Sequence, residues 1–355
     1  MRRALQLAER GRGRTSPNPV VGAVVVRGGE VVGEGWHRAL GEHHAEVVAL
    51  ERAGRSARGA TLYVTLEPCA HVGRTPPCVD AVIRAGIRRC VVAVKDPHRL
   101  VYGKGLRSLR RAGIGVEVGL LAAEARRALG GYWLTHTERR PRVTWKAATS
   151  ADGRIADAAG RSRWITGPDA RRAGHALRAL SDAIVIGANT VRRDDPRLTA
   201  RPSLGGRQPL RIVCDTRLSL PAGLNVFSGS LVRGTVVACG RRAPRSRERA
   251  LGARGITVWR LPAGPGGVSP RALARRLAAL GRHEVLIEGG AALGTSWWRA
   301  GLVDRVALFM APRLIGAEGL PWCGPLGRQP LARAKLGRVT QLSPAGADAC
   351  VMFEW

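Results

Sequence analysis

The sequence predicts an α/β protein of two domains, and three observations carry that expectation. A chain of 355 residues is long for one core, since domains usually hold about 100–200 residues. Strand-like and helix-like runs alternate through both halves, which implies layered α/β domains. A charged, proline-terminated connector, Glu138-Arg139-Arg140-Pro141, lies between the halves. We therefore expect one domain over 1–138 and a second over 139–355.

In the first half, apolar runs predict strands at 20–26, 30–35, 61–65, 90–95 and 116–118. Helical periodicity fills the intervals at 2–10, 44–53, 79–85 and 105–112, each followed by glycine or loop residues. A further helical stretch, 120–135, leads into the connector. In the second half, 183–186 and 285–287 are unbroken apolar strands of the kind found in sheets covered on both faces. The second of these runs into Gly289-Gly290 and a helix over 292–299, where backbone amides at a helix N-terminus can approach a phosphate. Another helix is expected at 271–280, and 201–210 and 240–250 are loop-like by their Gly, Pro, Ser and Arg content.

Composition narrows the classes. Hydrophobic residues at 45% and charged residues at 24% are ordinary globular values. The net charge of +32, from 58 Lys+Arg against 26 Asp+Glu, would suit a nucleic-acid partner if it were concentrated. The arginines are instead strewn through both halves, so we read the excess as compositional bias, with no nucleic-acid partner. Seven cysteines, an odd number without a regular framework, exclude a secreted disulfide scaffold. Cys90, Cys214 and Cys239 lie in apolar runs and read as small core residues. No apolar signal-peptide core and no uncharged window of membrane-spanning length occurs. The expectation is a soluble cytoplasmic protein with no membrane partner. No G-x-G-x-x-G follows a strand, which disfavours a Rossmann dinucleotide site.

The chemistry is written between residues 44 and 78: His44-Ala45-Glu46, Thr65-Leu66-Glu67-Pro68-Cys69 and Pro76-Pro77-Cys78. One imidazole and two thiolates make a three-ligand zinc site with the fourth tetrahedral position open for water. Water there becomes a nucleophile near neutral pH. Glu46, beside the ligand but not one itself, can carry protons to a ring nitrogen and to departing ammonia. His43 is the rival ligand, but only His44 stands in the H-x-E register. Because residues two apart do not share a helix face, His44 and Glu46 should sit where an extended segment enters the helix. Cys69, after a proline, should open a second helix, whose N-terminus would stabilise a thiolate.

Nucleobase deaminases usually carry P-C-x-x-C, whereas here eight residues separate Cys69 from Cys78. With Ser16-Pro17-Asn18-Pro19-Val20-Val21-Gly22 and Gly35-Trp36-His37 upstream, this longer loop resembles the deaminase half of the bifunctional riboflavin-biosynthesis deaminase-reductases. The resemblance implies a cytidine-deaminase-like α/β/α sandwich with His44, Cys69 and Cys78 on one zinc ion and Glu46 as proton shuttle. It puts Asn18, His37, His71 and Arg74 where that family holds the pyrimidine and its phosphoribosyl tail. The chain departs from the family at Asp96-Pro97-His98-Arg99, where relatives commonly read Asp-Pro-Asn-Pro. It also begins at Met1-Arg2-Arg3, a few residues into the relatives' first helix, which leaves room for a start upstream.

The second half carries Lys146, Ser150-Ala151-Asp152-Gly153-Arg154, Ser162-Arg163-Trp164, Gly187-Ala188-Asn189-Thr190, Asp194-Asp195-Pro196-Arg197-Leu198 and Glu288-Gly289-Gly290 in order. This set resembles the reductase half of the same family, which implies a dihydrofolate-reductase-like α/β domain using NADPH. By position, Ser162, Arg178, Leu198, Arg201 and Glu288 match the family's substrate contacts. Ala148, Trp164, Thr190, Asp194 and the turn Gly290, Ala291, Ala292, Leu293, Gly294, Thr295 and Ser296 match its cofactor contacts. Lys146 and Glu288 are the candidates for proton traffic at the sugar. The implied partner is a phosphoribosylaminopyrimidine, the implied assembly a homo-oligomer, dimer or tetramer. The rival reading is a nucleic-acid-editing deaminase acting on tRNA or single-stranded DNA, or a basic nucleic-acid-binding protein, which the gap before Cys78 and the reductase-like half argue against.

Overall fold

A computed structural model describes every residue except 72–75 and 328–329. Its contacts divide the chain into two compact units, Met1–Arg140 and Pro141–Trp355.

The first unit is built on a five-stranded sheet in the order Glu30–Trp36, Gly22–Arg27, Thr61–Val64, Arg89–Val92, Gly115–Val118. The first three strands pair antiparallel and the last three parallel. Alternate residues of a strand point to opposite faces, and both faces are covered. Ala23 and Val25 pack into the main core with Ala45, Ala49, Val82 and Leu109, whereas Val24 packs with Ala4 and Leu7 of the helix Arg2–Glu9. Two glycines let the helix Ala45–Ala53 lie directly on the sheet. A Cβ on Gly35 would stand 2.3 Å from the Ala45 carbonyl oxygen, and one on Gly33 2.2 Å from that of Ala49. This close approach holds the first turn of that helix, and with it His44 and Glu46, against the sheet.

Three expectations need correction here. Cys69 does not open a helix; it lies in coil, and the second helix is Cys78–Arg84 with Pro77 as its N-cap. The loop between the two cysteines moves the helix start to the second one. The stretch 120–135 is two helices, Ala122–Leu129 and Gly131–Glu138, because Gly130 at φ 53° breaks a run whose periodicity alone reads as continuous. The supposed loop 240–250 contains the helix Arg245–Ala253, capped by Pro244; its polar composition reflects solvent exposure, not irregular backbone.

The second unit carries a nine-stranded sheet. Its order is Thr257–Leu261, Thr235–Gly240, Leu210–Cys214, Ala183–Gly187, Glu284–Ile287, Arg142–Ser150, Arg305–Ala311, Asp348–Glu354, Arg338–Ala345. The first seven strands run parallel and the last two are antiparallel additions. Ala183 and Val185 join one core with Trp145, Ile212 and Ile287, while Ile184 and Ile186 join a second with Val213, Val237 and Leu286. Apolar burial on both faces is why these strands read as unbroken runs. Asp152, singled out in the sequence, braces a turn: its carboxylate accepts the Ser150 hydroxyl at 2.5 Å and the Gly316 N–H at 2.7 Å.

Candidate active sites

In the first unit, His44 is the N-cap of the helix Ala45–Ala53, with extended backbone at φ −70° and ψ 162°. Glu46 follows in the first turn and is 3% exposed. This is the extended-to-helix junction that the two-residue spacing requires. His44 Nδ1 lies 3.1 Å from Cys78 Sγ and 3.6 Å from Cys69 Sγ. The three donor atoms fall within 4.8 Å of one another. Zinc bonded at about 2.3 Å to sulfur and about 2.0 Å to nitrogen in tetrahedral geometry needs donors roughly 3–4 Å apart. The set fits that ion. The Cys78 backbone N–H points at Cys69 Sγ, at 3.3 Å, so the helix N-terminus favours a thiolate on Cys69 even though Cys69 lies outside the helix.

Charge gives a second test of the fit. Hydrogen bonding with Cys78 draws the Cys69 thiol down to about 4, and the same bond with burial pushes Cys78 up. Two thiolates held this close repel each other unless a positive charge stands at their centre. Burial likewise raises the Glu46 carboxyl above the usual carboxylate range, opposed by His44. Glu46 is also within hydrogen-bonding reach of the Cys78 thiol. A carboxyl so placed can hold a proton and release it at the metal.

His37, 2% exposed, stacks edge-on against His44 with ring centres 5.1 Å apart. Its Nδ1 donates to the His43 carbonyl oxygen at 3.2 Å and its Nε2 accepts from Asn18 Nδ2 at 3.2 Å. Glu67, in the run before Cys69, is buried as a structural post: it accepts the N–H groups of Gly103, Asp96 and Leu106 at 2.8, 3.1 and 3.3 Å. These bonds bring the 96–106 segment up beside the zinc ligands. Asp96 accepts the Tyr132 hydroxyl at 2.9 Å, and burial raises its carboxyl to about 6. His98 has its N–H on Asp96 and its ring against His136. His71 is exposed, and Arg74 lies outside the described residues.

In the second unit, a cavity of about 1150 Å³ opens where the parallel strands end, the usual crevice of an open α/β sheet. Strand register brings its central charges together. Ile287 pairs with Trp145 on one side and Val185 on the other, so Glu288 and Lys146 are the next residues on adjacent strands. Arg178, from the helix Pro168–Ala179, clamps Glu288 with two bonds of 2.6 and 2.7 Å. Burial would raise the Glu288 carboxyl, but Arg178 and then Lys146 bring it below its ordinary value. Burial lowers the Lys146 ammonium, against Glu288, with Arg178 lowering it further.

Ser162, Arg178, Leu198, Arg201, Ala148, Trp164, Thr190 and Asp194 all line this cavity, as do Gly290, Ala291, Ala292, Leu293 and Ser296. Gly294 and Thr295 do not. They point from the opposite face of the helix Ala291–Arg299: a Cβ on Gly294 would sit 1.9 Å from the Trp145 ring, and the Thr295 hydroxyl accepts the Gly324 N–H at 2.8 Å. Seven consecutive residues entering a helix cannot all face one side. The N-terminal turn of that helix, a rim of arginines and the cavity's size suit a dinucleotide carrying phosphates. Cys214, expected in the core, stands at the strand end and lines the cavity too. His175 and Arg217 also line it, though no motif in the sequence contains them. Among 58 basic residues a functional arginine has no distinguishing mark, and His175 shows its place only once Arg178, three residues on in the same helix, is known to face the cavity.

Comparison with known proteins completes the picture. Residues 141–346 match the family model "RibD C-terminal domain", and residues 1–94 match "Cytidine and deoxycytidylate deaminase zinc-binding region". The riboflavin biosynthesis protein RibD of Aquifex aeolicus is 40% identical over 354 residues, covering 100% of this chain and 97% of that protein. The Escherichia coli RibD is 39% identical over 371 residues, covering 99% and 97%. Among solved structures, Acinetobacter baumannii RibD superposes with a TM-score of 0.86 at 34% identity over 99% of this chain and 97% of its own. The Thermotoga maritima deaminase/reductase does so at 0.83 and 32%, over 100% and 97%. With zinc-site geometry in one unit, a dinucleotide-sized cavity in the other and likeness along the whole chain, the protein belongs to the RibD family of riboflavin biosynthesis, bifunctional enzymes that join a zinc-dependent deaminase to an NADPH-dependent reductase.

Proposed function

We propose that residues 1–138 deaminate 2,5-diamino-6-(5-phosphoribosylamino)pyrimidin-4-one and that residues 139–355 then reduce the ribosyl chain of the product to ribityl. The observation that carries the reading is the convergence of His44 Nδ1, Cys69 Sγ and Cys78 Sγ beside the buried Glu46. Those three donors would hold zinc, which when bound supplies a Lewis acid that makes water nucleophilic near neutral pH. Glu46 takes one proton from the attacking water and gives it to the ring nitrogen, then takes the second from the hydroxyl now on the ring carbon and gives it to the amino group, which leaves as ammonia while the carbonyl forms. Asn18, His37, His71 and Arg74 hold the pyrimidine and its phosphoribosyl tail. The Asn18–His37 bond fixes both side chains before substrate arrives.

In the second unit NADPH supplies the hydride. Ala148, Trp164, Thr190, Asp194 and the Gly290–Ser296 turn would hold it, the turn through Gly290, Ala291, Ala292, Leu293 and Ser296. Ser162, Arg178, Leu198, Arg201 and Glu288 take the sugar phosphate. Lys146, its proton loosened by burial and balanced by Glu288, moves protons at the sugar. Placing the two chemistries in separate units has a direct test. Cys69→Ala should abolish ammonia release yet oxidise NADPH when given the deaminated intermediate, and Glu288→Ala should do the reverse. Loss of both activities in a folded Cys69→Ala protein would overturn the division of labour.

The assembly we propose is a homo-oligomer joined through the end of the large sheet. Val306 and Leu308, then Phe353 and Val351, then Val339 and Leu342 stand in cross-strand rows on one face. Val339 and Leu342 are 57% and 71% exposed. No lysine or arginine occurs from Val339 to Trp355, so two copies of a chain of charge +32 can meet there without repulsion. No helix among the described residues is long and apolar enough to cross a membrane. Free thiols at the metal site suit the reducing cytoplasm, a location that cell fractionation tests.

A further inference from the structure

We propose that His175 is a positioning residue of the reductase site, holding Arg201 at the cavity so that its guanidinium is in place for the anionic end of the sugar substrate. The inference rests on the reading of Arg201 as a substrate contact. His175 and Arg178 are three apart on the helix Pro168–Ala179 and therefore share a face; both line the cavity. His175 Nδ1 lies 3.0 Å from the Thr199 carbonyl oxygen, and Nε2 lies 3.1 Å from Arg201 Nη2. The chemistry of the partners fixes the tautomer. A carbonyl can only accept and a guanidinium can only donate, so the proton sits on Nδ1 and the lone pair on Nε2 faces Arg201. The ring is a neutral strut between a backbone anchor and a cation.

That anchor is shared. The Thr199 carbonyl also accepts Arg178 Nη1 at 3.2 Å, and Arg178 holds Glu288. One carbonyl thus ties both cavity arginines to the same helix face, Arg178 directly and Arg201 through His175. The two arginines are used differently. Arg178 has its charge answered by Glu288, whereas no carboxylate lies within ion-pair distance of Arg201 among the described residues. Arg201 is exposed, and an unrestrained arginine must lose rotamer freedom when it binds an anion. A neutral acceptor restrains the side chain without cancelling its charge, which a carboxylate in the same place would do. His37 in the other unit has the same arrangement, with Nδ1 on a backbone carbonyl and Nε2 accepting from Asn18.

The test is steady-state NADPH oxidation on the deaminated phosphoribosyl substrate, with thermal unfolding in parallel. His175→Phe, which keeps the ring's bulk and loses the acceptor, should raise KM for the sugar phosphate about tenfold. Its kcat, its KM for NADPH and its thermal stability should change little. His175→Gln, whose Oε1 can stand near the Nε2 position, should restore KM. Arg201→Ala should raise KM as well, and adding His175→Phe to it should raise KM no further. If His175→Phe leaves KM unchanged while Arg201→Ala raises it, the positioning role is wrong and the assignment of Arg201 survives. If Arg201→Ala leaves KM unchanged, the substrate contact itself fails and the proposal with it. Parallel loss of kcat and stability in both His175 variants would mark a merely structural residue and overturn the role.

Discussion

The two units balance charge at their sites in opposite ways. In the first, Glu46 is 3% exposed with two thiols and an imidazole beside it, and among the described residues no lysine or arginine acts on its carboxyl. In the second, Glu288 is equally sequestered, at 8% exposure, but Arg178 clamps it and Lys146 adds a second positive charge. The first site is therefore incomplete without an ion, and the second is neutralised by the chain's own residues. An ion held by three donors leaves the carboxylate free to shuttle protons. A carboxylate already paired to an arginine is better suited to fixing geometry and tuning a neighbouring lysine.

The largest effect should come from breaking the first arrangement at its proton carrier. Glu46→Gln is expected to retain about one zinc per chain and to lose roughly 10²–10⁴-fold in ammonia release, with NADPH oxidation unchanged. Metal analysis beside the ammonia assay decides this; near-normal release would show that Glu46 carries no proton.

Breaking the second arrangement should cost stability first. Arg178→Met leaves Glu288 buried with only Lys146 to answer it, and removing one partner of a buried pair costs about 3–5 kcal/mol. Urea unfolding of the variant should show that loss at neutral pH. The Glu288 carboxyl is held below its ordinary value, so the pair's stabilisation is present above the usual carboxylate range and disappears as pH falls through the lowered value. Equal stability of variant and wild type at neutral pH would mean that the pair contributes nothing.

The smallest effect on activity is expected at the end of the second unit's sheet, away from both sites, where Arg338 and Glu354 already pair with each other. Leu342 is 71% exposed, so Leu342→Glu should leave both activities and the melting temperature nearly unchanged while shifting sedimentation toward the monomer. An unaltered sedimentation profile, or a wild type that is already monomeric, would remove this face as an interface.

Legibility followed the distance between cooperating residues. The zinc set spans residues 44–78, and H-x-E with two proline-led cysteines could be read as one constellation because metal ligation restricts residue type so tightly. The helix junction at His44 was also readable, since two residues of helix cannot share a face. The reductase set runs from Lys146 to Ser296, and apart from the family resemblance nothing local marked Lys146 or Arg178. Only the register that sets Ile287 beside Trp145 makes neighbours of Lys146 and Glu288.

What the sequence determined by itself was whatever depends on residue type and short spacing: alternating strands and helices, two α/β units, a three-donor zinc site and its acid. The family resemblance added the reductase and its cofactor. Tertiary structure alone decided which side each residue faces. It turned Gly294 and Thr295 away from the cavity, put Cys214 into its wall, moved the helix start from Cys69 to Cys78, and joined His175 to Arg201. The physical reason is that ligation and propensity act over a few residues of chain. Pairing between strands, and the choice of helix face that follows from it, is settled by long-range burial on both sides of a sheet, which no short stretch of sequence contains.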